Sequence, residues 1–552
     1  MAVARSKAGR AKLAERLRRI SRHGAKQGYG PLILPRYARD VAGVSPVAYA
    51  NRYFRDKVRA PFLSPLARDY FFVTEQPFEV NVPSRDRYDV VAEIESSLAD
   101  IAYYLSNFLT HPRYGKENQV GFVRGESLRP YALRELEPGR FSFRVQGVAV
   151  GRRDLFRFLR GANRAGPKAP SMAKPPYMSQ RIFFTMPTRP DAREVDQTEW
   201  YDFNPDEWPR KHPRIPLRPP IPVLFHRSRP HPPLAPRYDE LYADGVIKIA
   251  LLFGYDAEGH LTSRDAHEIW EILTAPRSRR FGKKDTGPHG YGGPGLGFSD
   301  PTGGHFRKLN TEGESVFRRE QHAGAGPVRV RYQLQAGPLT VGDTRAPEGS
   351  VFVGGRSARA GTVVSVGSWI ERTIRAEVRL YNFDKSSRGT SSRTLIEKFV
   401  GVFRDNDVVH YDGHANYGGG FFIGDQPNDI LWSCDIGEYR HLFSRDYQIF
   451  SIGACHAAGY FADLFYNELR PRKSPHNLDI VAAINETAFD DSVHQSLDFV
   501  RAMLQDVPRR DGPPGYDRIL RAISARNSFQ AFIGVFATGQ QGRRRRAPAV
   551  RG

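Results

Sequence analysis

The chain contains very little cysteine, because only Cys434 and Cys455 occur among its 552 residues. Two cysteines cannot form the disulfide framework of a small secreted protein. Long apolar runs are also missing: no segment approaches the ~20 apolar residues of a membrane span, and residues 1–26 lack the apolar core of a signal peptide. These absences predict a soluble protein in a reducing, cytoplasmic setting.

Acidic residues are outnumbered, since 60 Asp and Glu against 82 Lys and Arg give a formal net charge of +22. This excess favours polyanionic partners such as nucleic acid, with a basic arm at 1–28 and a basic tail at 541–552, including RRRR at 543–546, as candidate contacts. Many arginine-rich chains have the same excess of basic residues only because of genome composition. Nucleic-acid binding is therefore kept as an alternative. The apolar content of 40% supports folded cores, and the length predicts two to four domains.

The first half of the chain predicts an arm, a domain and a linker. Residues 9–22 have the spacing of a short amphipathic basic helix, which either docks on a partner, a membrane surface or the protein itself, or stays a solvated arm. Residues 29–208 mix helical and strand-like patterns and predict an α+β regulatory or partner-binding domain. The proline- and arginine-rich run at 209–237 predicts an extended linker or, as an alternative, a ligand for a proline-binding module.

The second half, residues 238–540, predicts an α/β domain. Its first apolar run, VIKIALLF, is followed by a helical pattern with Ser263 as candidate N-cap. An insertion at about 280–370 carries β-like segments, and its glycine-rich stretch at 281–304 is a candidate site of proteolytic activation. Strands and helices then alternate, which predicts a mainly parallel sheet with helices on both faces.

A histidine and a cysteine follow two apolar runs of this alternation. His414 comes after DVVHY, and Cys455 comes after YQIFSIGA, 41 residues further along. Reactive side chains in open parallel sheets collect beyond the carboxyl ends of the strands, and 41 residues leave room for one crossover. We therefore expect the two residues at neighbouring strand exits.

Such a pair has the chemistry of a thiol nucleophile and its base. A cysteine thiol, with an ordinary pKa of about 8.5, is mostly protonated at neutral pH, and a nearby imidazole and a helix N-terminus activate it. A helix is expected to begin just after Cys455. Backbone N–H groups of Cys455 and of Gly413 or Ala415 are candidate donors to an oxyanion.

The segments HYDGHA at 410–415 and SIGACHAAG at 451–459 resemble the His and Cys elements of the caspase, metacaspase, gingipain and legumain superfamily, in the same order. The resemblance extends from about Val246 to Gln505. It implies a caspase-like fold and a cysteine endopeptidase in which His414 is the general acid/base and Cys455 the nucleophile, with no obligatory third residue. The chain departs from the family at Ala415, where glycine is usual, and at Gly453, where metacaspases have an acidic residue.

Several nearby residues are candidates for a substrate pocket: Asp412, Cys434, Gly453 and His456. Asp412 is also a candidate to orient His414. No cofactor is expected, because His410 and His456 lack zinc-ligand spacing and the acidic residues lack EF-hand spacing. Calcium stays an alternative on the following acidic residues: Asp425, Asp429, Asp435 and Glu438.

Two other functions are compatible with the sequence. The domain can be a catalytically silent scaffold or structural component of an assembly, which the alanine at 415 favours. Alternatively the basic ends bind nucleic acid. The partner of the leading interpretation is a protein or peptide substrate, together with a regulatory protein at the N-terminal domain.

Overall fold

The computed structural model describes residues 43–56, 62–65, 67–110, 121–153, 155–156, 159, 179–188, 203–228, 234–255, 263–282, 291–298, 317–324, 328–335, 339–340, 351–352, 363–364, 367–382, 391–415, 420–424, 428–484, 487, 492–504, 515–524 and 533–537. The basic arm at 1–28 and the tail at 541–552 lie outside these ranges. No helix within them is long and apolar enough to cross a membrane.

The first half forms an antiparallel sheet with helices. Its elements are α1 Pro46–Asp56, β1 Phe62–Leu63, β2 Ala67–Thr74, β3 Phe78–Asn81, α2 Arg87–Thr110, β4 Gly121–Glu137, β5 Arg140–Arg152, β6 Ser179–Phe184, α3 Trp208–Lys211 and β7 Ile221–Arg227. Strands run in the order β3-β5-β2-β7-β6, and β4 pairs with β5. Alternate residues of the strands, such as Tyr70 and Phe72 of β2, join α2 in one apolar core.

The run predicted to be a linker contains a strand. β7 lies within 209–237 and pairs with both β2 and β6, so it is an interior strand of the first sheet. The linker prediction is therefore wrong for 221–227. Ile221, Val223 and Phe225 point to the core in alternation, as in an ordinary strand. The many prolines of the surrounding run favour an extended linker, and this short alternation alone did not predict a strand.

The second half forms a larger sheet. Its elements are α4 Tyr238–Leu241, β8 Val246–Phe253, α5 Ser263–Thr274, β9 Phe317–Gly324, β10 Val328–Gln335, β11 Leu339–Thr340, β12 Val351–Phe352, β13 Val363–Val364, β14 Gly367–Asn382, α6 Ser392–Asp405, β15 Val408–Asp412, β16 Gly420–Phe422, β17 Ile430–Trp432, a 3₁₀ helix Ser433–Leu442, β18 Gln448–Gly453, a π-helix Ala458–Ala462, α7 Asp463–Glu468, β19 Leu478–Ala483, α8 Ser492–Met503, α9 Tyr516–Ser524 and β20 Ile533–Phe536.

The sheet is mainly parallel. Its order is β1-β20-β19-β18-β15-β8-β14-β10, and the strands from β14 through β8, β15 and β18 to β19 pair in parallel. β20 is antiparallel to β19. All residues of β15 and β19 are buried, as expected of strands covered on both faces. This confirms an α/β fold with a mainly parallel sheet.

Helices cover both faces of this sheet. Residues of α6 and α7 pack on one face, and residues of α5, α8 and α9 pack on the other. α6 shows how the sequence produces this layer: Ser391 caps it by accepting a hydrogen bond from Thr394 N–H (3.2 Å), and Leu395, Phe399 and Phe403 recur every four residues on its buried side.

The inserted region supplies β structure, as expected. β9 and β10 both pair antiparallel with the long strand β14. Part of the stretch proposed for proteolytic activation is packed, because Tyr291 and Phe298 are buried and Phe281 N–H donates to Gly293 O (2.9 Å). Residues 291–298 form a loop in which Gly292 and Gly297 are exposed, and residues 283–290 and 299–304 lie outside the described chain.

The two halves of the chain are in direct contact. β1 pairs antiparallel with β20, and the rings of Phe62 and Phe536 lie 5.0 Å apart between centroids. The Arg124 guanidinium lies 4.8 Å from the centre of the Phe536 ring and forms a buried ion pair with Asp69 (3.7 Å). The ten-stranded sheet thus ends on β1, a strand from the first half of the chain that lies between α1 and β2 in sequence.

Phe403 tests the packing of the layer between α6 and the sheet. Its side chain is 2% exposed and contacts the rings of Phe399, Phe421 and Phe450. Phe403→Ala should lower the free energy of unfolding by about 3–5 kcal/mol, because it removes apolar contacts and leaves a cavity. Urea unfolding measures this. Glu397→Ala on the exposed side of α6 is the control and should have a far smaller effect; equal effects would contradict the packing.

Candidate active site

The strand exits that carry His414 and Cys455 are neighbours. β15 and β18 pair in parallel with Asp412 opposite Gly453, and each candidate residue follows two positions later. Gly413 N–H donates to Gly453 O (3.4 Å), so the pairing continues past the strand ends. Because paired strands lie about 4.8 Å apart, the two loops leave the sheet side by side.

The loop after β15 is shaped by Tyr411. Its hydroxyl donates to the carbonyl of His414 (3.1 Å), and its ring is buried beside Phe421. Burial raises the pKa of the Tyr411 phenol, so it stays a neutral donor. A Cβ at Gly413 would collide with this hydroxyl, which explains the glycine there. Tyr411 therefore holds the His414 backbone while the half-buried imidazole contacts Phe422 (6.0 Å between ring centroids).

The alanine at 415 does not require a special backbone. Among described residues with positive φ, the three that are not glycine are Arg85, Ala132 and His456, so Ala415 is outside the left-handed region. Ala415 is buried, and its carbonyl accepts from Gly420 N–H (3.1 Å). An alanine is therefore accommodated at 415 without backbone strain. The Gly413 N–H is directed to Gly453, which leaves Cys455 and Ala415 as the better oxyanion candidates.

Cys455 is half-buried and is not part of a disulfide. Its sulfur contacts Thr487, which follows β19, the next strand of the sheet. Cys455 Sγ lies 3.5 Å from the Thr487 carbonyl oxygen, 3.5 Å from its amide nitrogen and 3.8 Å from its hydroxyl. No sequence motif marks Thr487, because its contact with Cys455 joins residues 32 positions apart through the parallel pairing of β18 and β19.

His456 is a structural residue rather than part of an open pocket. It is buried, has a left-handed backbone (φ +53°), and its Nδ1 lies 3.0 Å from Ile484 O. Burial lowers the pKa of its imidazole to about 4, so the ring is neutral at pH 7. Its ring also contacts the ring of Phe122 on β4 (5.5 Å, edge to face), so the first half of the chain packs against the residue next to Cys455.

The helix expected just after Cys455 begins later. A π-helix starts at Ala458 and continues into α7. The left-handed backbone of His456 interrupts the path, since a helix cannot pass through that conformation. The segment after Cys455 is helical, as predicted, but a turn at His456 separates the first helical residues from Cys455.

Asp412 is part of a buried polar cluster. Its Oδ2 accepts from the Ser496 hydroxyl (3.0 Å) and lies 3.2 Å from His410 Nε2, while His410 Nδ1 lies 2.9 Å from Ser451 Oγ. The His410 ring also stacks on Phe499 of α8 (5.3 Å). The cluster links β15, β18 and α8 directly below the strand exits. These contacts, rather than His414 or a pocket, are the partners that the structure gives Asp412.

Gly453 is required by the same cluster. A Cβ there would lie 2.5 Å from Asp412 Oδ1 and 3.1 Å from the Tyr411 carbonyl. The space that a side chain would occupy at the end of β18 is therefore filled by the carboxylate of the neighbouring strand. This explains why an acidic residue, as in the metacaspase pattern, does not fit at 453.

The remaining candidates lie away from a common site or outside the description. The backbone of Cys434 lies in the 3₁₀ helix Ser433–Leu442, and its side chain is not described. Asp429 is buried, Glu438 is exposed, and Asp425 lies outside the described residues. Within the described ranges, no group of three or more His, Cys, Asp or Glu side chains is arranged to hold a metal ion.

Comparison of the chain with protein-family models, with curated proteins and with solved structures finds no match.

His456 predicts a specific response to acid. Its pKa of about 4 in the folded protein is below the ordinary 6.5, so the unfolded state binds the extra proton first. The contribution of the neutral His456 ring to the free energy of unfolding is fully present above pH 6.5 and is lost as the pH falls towards 4. In His456→Asn, which tolerates the left-handed backbone and keeps a donor, the loss between pH 7 and pH 5 should be smaller by about 2 kcal/mol.

The measurement is urea unfolding of both proteins at the two pH values. The carboxyl groups of Asp407 and Asp479, whose pKa values burial raises to about 6, titrate in the same range but are common to both proteins. Parallel pH dependence of the wild type and the variant would show that His456 is not held neutral by burial.

A pair of glycines tests the contact between Asp412 and β18. Gly453→Ala should lower the free energy of unfolding by about 1–3 kcal/mol, because the added Cβ displaces the Asp412 carboxylate from its partners. Gly401→Ala in α6 is the matched control: its Cβ would meet only Arg404 Nη2 at 3.8 Å, so it should stabilise the helix by about 0.5–1 kcal/mol. Thermal unfolding that gives both substitutions the same sign would contradict the tight approach at Gly453.

Proposed function

We propose that the chain is a cysteine endopeptidase with a caspase-like fold, in which Cys455 is the nucleophile and His414 the general acid/base. The observation that carries the proposal is the pairing of β15 with β18, which sets the two residues on adjacent strand exits. Both side chains are half-buried rather than sealed in the core.

The fold supports the proposal in a second way. The resemblance implies an α/β sheet in which the histidine strand and the cysteine strand are consecutive, with helices on both faces. The strands β8, β15, β18 and β19 are parallel neighbours in that order, and helices cover both sides. The oxyanion would lie near the backbone N–H groups of Cys455 and Ala415, at the carboxyl end of the sheet, where open α/β folds place their reactive groups.

The reaction follows from these positions. His414 takes the thiol proton, and the Cys455 sulfur attacks the carbonyl carbon of the peptide to form a C–S bond. The imidazolium then gives its proton to the departing amine as the C–N bond breaks, leaving an acyl-enzyme. Water, deprotonated by His414, attacks the acyl carbon, and the C–S bond breaks to release the carboxylic acid and return the thiol.

We assign the first half of the chain a regulatory role on the same site. Phe122 of β4 contacts the ring of His456, the residue adjacent to the nucleophile. A movement of β4 would therefore be transmitted to the backbone next to Cys455. A protein bound to that half is the partner this arrangement supports. The low cysteine content fits action in the reducing cytoplasm.

The decisive experiment is cleavage of a peptide library with varied P1 residues by the full chain and three variants. Cys455→Ala and His414→Ala should each lower kcat/KM by about 10³-fold or more, because members of a catalytic unit act together. Glu397→Ala, on the exposed side of α6, is the control and should keep the activity. Equal cleavage by the wild type and Cys455→Ala would refute the assignment.

The library also separates the peptidase from a silent scaffold. A folded wild type that cleaves no member, together with no labelling of Cys455 by a peptide chloromethyl ketone, would favour the scaffold alternative. Labelling of Cys455 that is lost in His414→Ala would support the peptidase. Nucleic-acid binding rests on residues 1–28 and 541–552, which the structure does not describe, and salt-dependent retention of single-stranded DNA by the full chain tests it.

A further inference from the structure

Thr487 meets the candidate nucleophile from a third strand exit. It follows β19, which pairs in parallel with β18, the strand before Cys455. Its amide nitrogen, carbonyl oxygen and hydroxyl all lie within 3.8 Å of Cys455 Sγ. One residue therefore offers the sulfur both an acceptor and two donors.

We propose that Thr487 is a positioning residue that holds the Cys455 sulfur and stabilises its thiolate, an inference whose catalytic consequence rests on the proposed peptidase function. In the resting thiol, the S–H donates to the Thr487 carbonyl. When the proton moves to His414, the sulfur becomes an acceptor only. The Thr487 amide N–H and hydroxyl then remain as donors to the negative charge, and hydrogen bonds to a charged form favour that form.

The left-handed backbone of His456 separates Cys455 from the helical segment that follows it. Helical residues begin at Ala457 and the π-helix at Ala458, so His456 stands between Cys455 and the first helical N–H groups. The stabilisation expected from a helix N-terminus falls off within the first turn. Thr487 places hydrogen-bond donors at the sulfur itself. It therefore supplies the stabilisation of the thiolate that the sequence led us to expect from the helix N-terminus.

The loop after β19 also fixes the backbone on which Cys455 stands. His456 Nδ1 lies 3.0 Å from the carbonyl of Ile484, directly after β19, and Thr487 lies three residues further on. Both neighbours in sequence, Cys455 and His456, are thus bound to the same segment. The sulfur and its backbone are positioned together relative to β19.

The test is the pH dependence of alkylation of Cys455 by iodoacetamide in the full chain, followed by mass spectrometry of the Cys455 peptide. Thr487→Val keeps the size and the amide N–H but removes the hydroxyl, and Thr487→Ser keeps both donors. Alkylation of Thr487→Val at pH 7 should be about threefold slower, with its midpoint moved to higher pH, because only the thiolate reacts. Thr487→Ser should follow the wild type.

Two results would overturn the inference. One is a midpoint in Thr487→Val equal to that of the wild type; the other is an equal shift in Thr487→Ser, which would mean that shape rather than the hydroxyl matters. Thermal unfolding of each variant shows that the comparison is made on folded protein. Alkylation reads the thiol without requiring peptide cleavage, so a shifted midpoint in a protein that cleaves nothing would retain the role of Thr487 and reject the peptidase.

Discussion

The parallel pairing of β15 with β18 is the constraint on which the candidate site depends. Its register is specified because a shift of one residue would turn Val409 and Tyr411, which pack together in one layer of the domain, to the opposite face of the sheet. The polar cluster of Asp412, His410 and Ser451 adds a second constraint at the end of the pair. With the register set, the positions of the following loops and of the side chains on them are largely determined.

The sequence predicts those parts of the fold that depend on local pattern. The apolar runs ending at Asp412 and Gly453 are strands, and the helical patterns at 90–111 and 391–406 correspond to the helices Arg87–Thr110 and Ser392–Asp405. These patterns, with the order of strands and helices, also predict that the two strand exits are adjacent. Local signals were sufficient because strands buried on both faces are continuously apolar.

The parts that could not be predicted depend on contacts between distant segments. β7 is a strand because β2 and β6 flank it, although its surroundings are rich in proline. Thr487 reaches Cys455 only through strand pairing, and nothing in the sequence INET marks it. The left-handed backbone of His456 is held by Ile484, and without that contact the segment after Cys455 has an ordinary helical pattern.

The pairing of β1 with β20 has a consequence for dividing the chain. β20 is an apolar, fully buried strand whose two edges are occupied by β19 and β1. A fragment beginning at 238 would retain every residue of the candidate site but would leave one edge of β20 without its partner and uncover Phe536. Such an edge pairs readily with other chains, so the isolated second half should self-associate, whereas in the full chain β1 covers that edge.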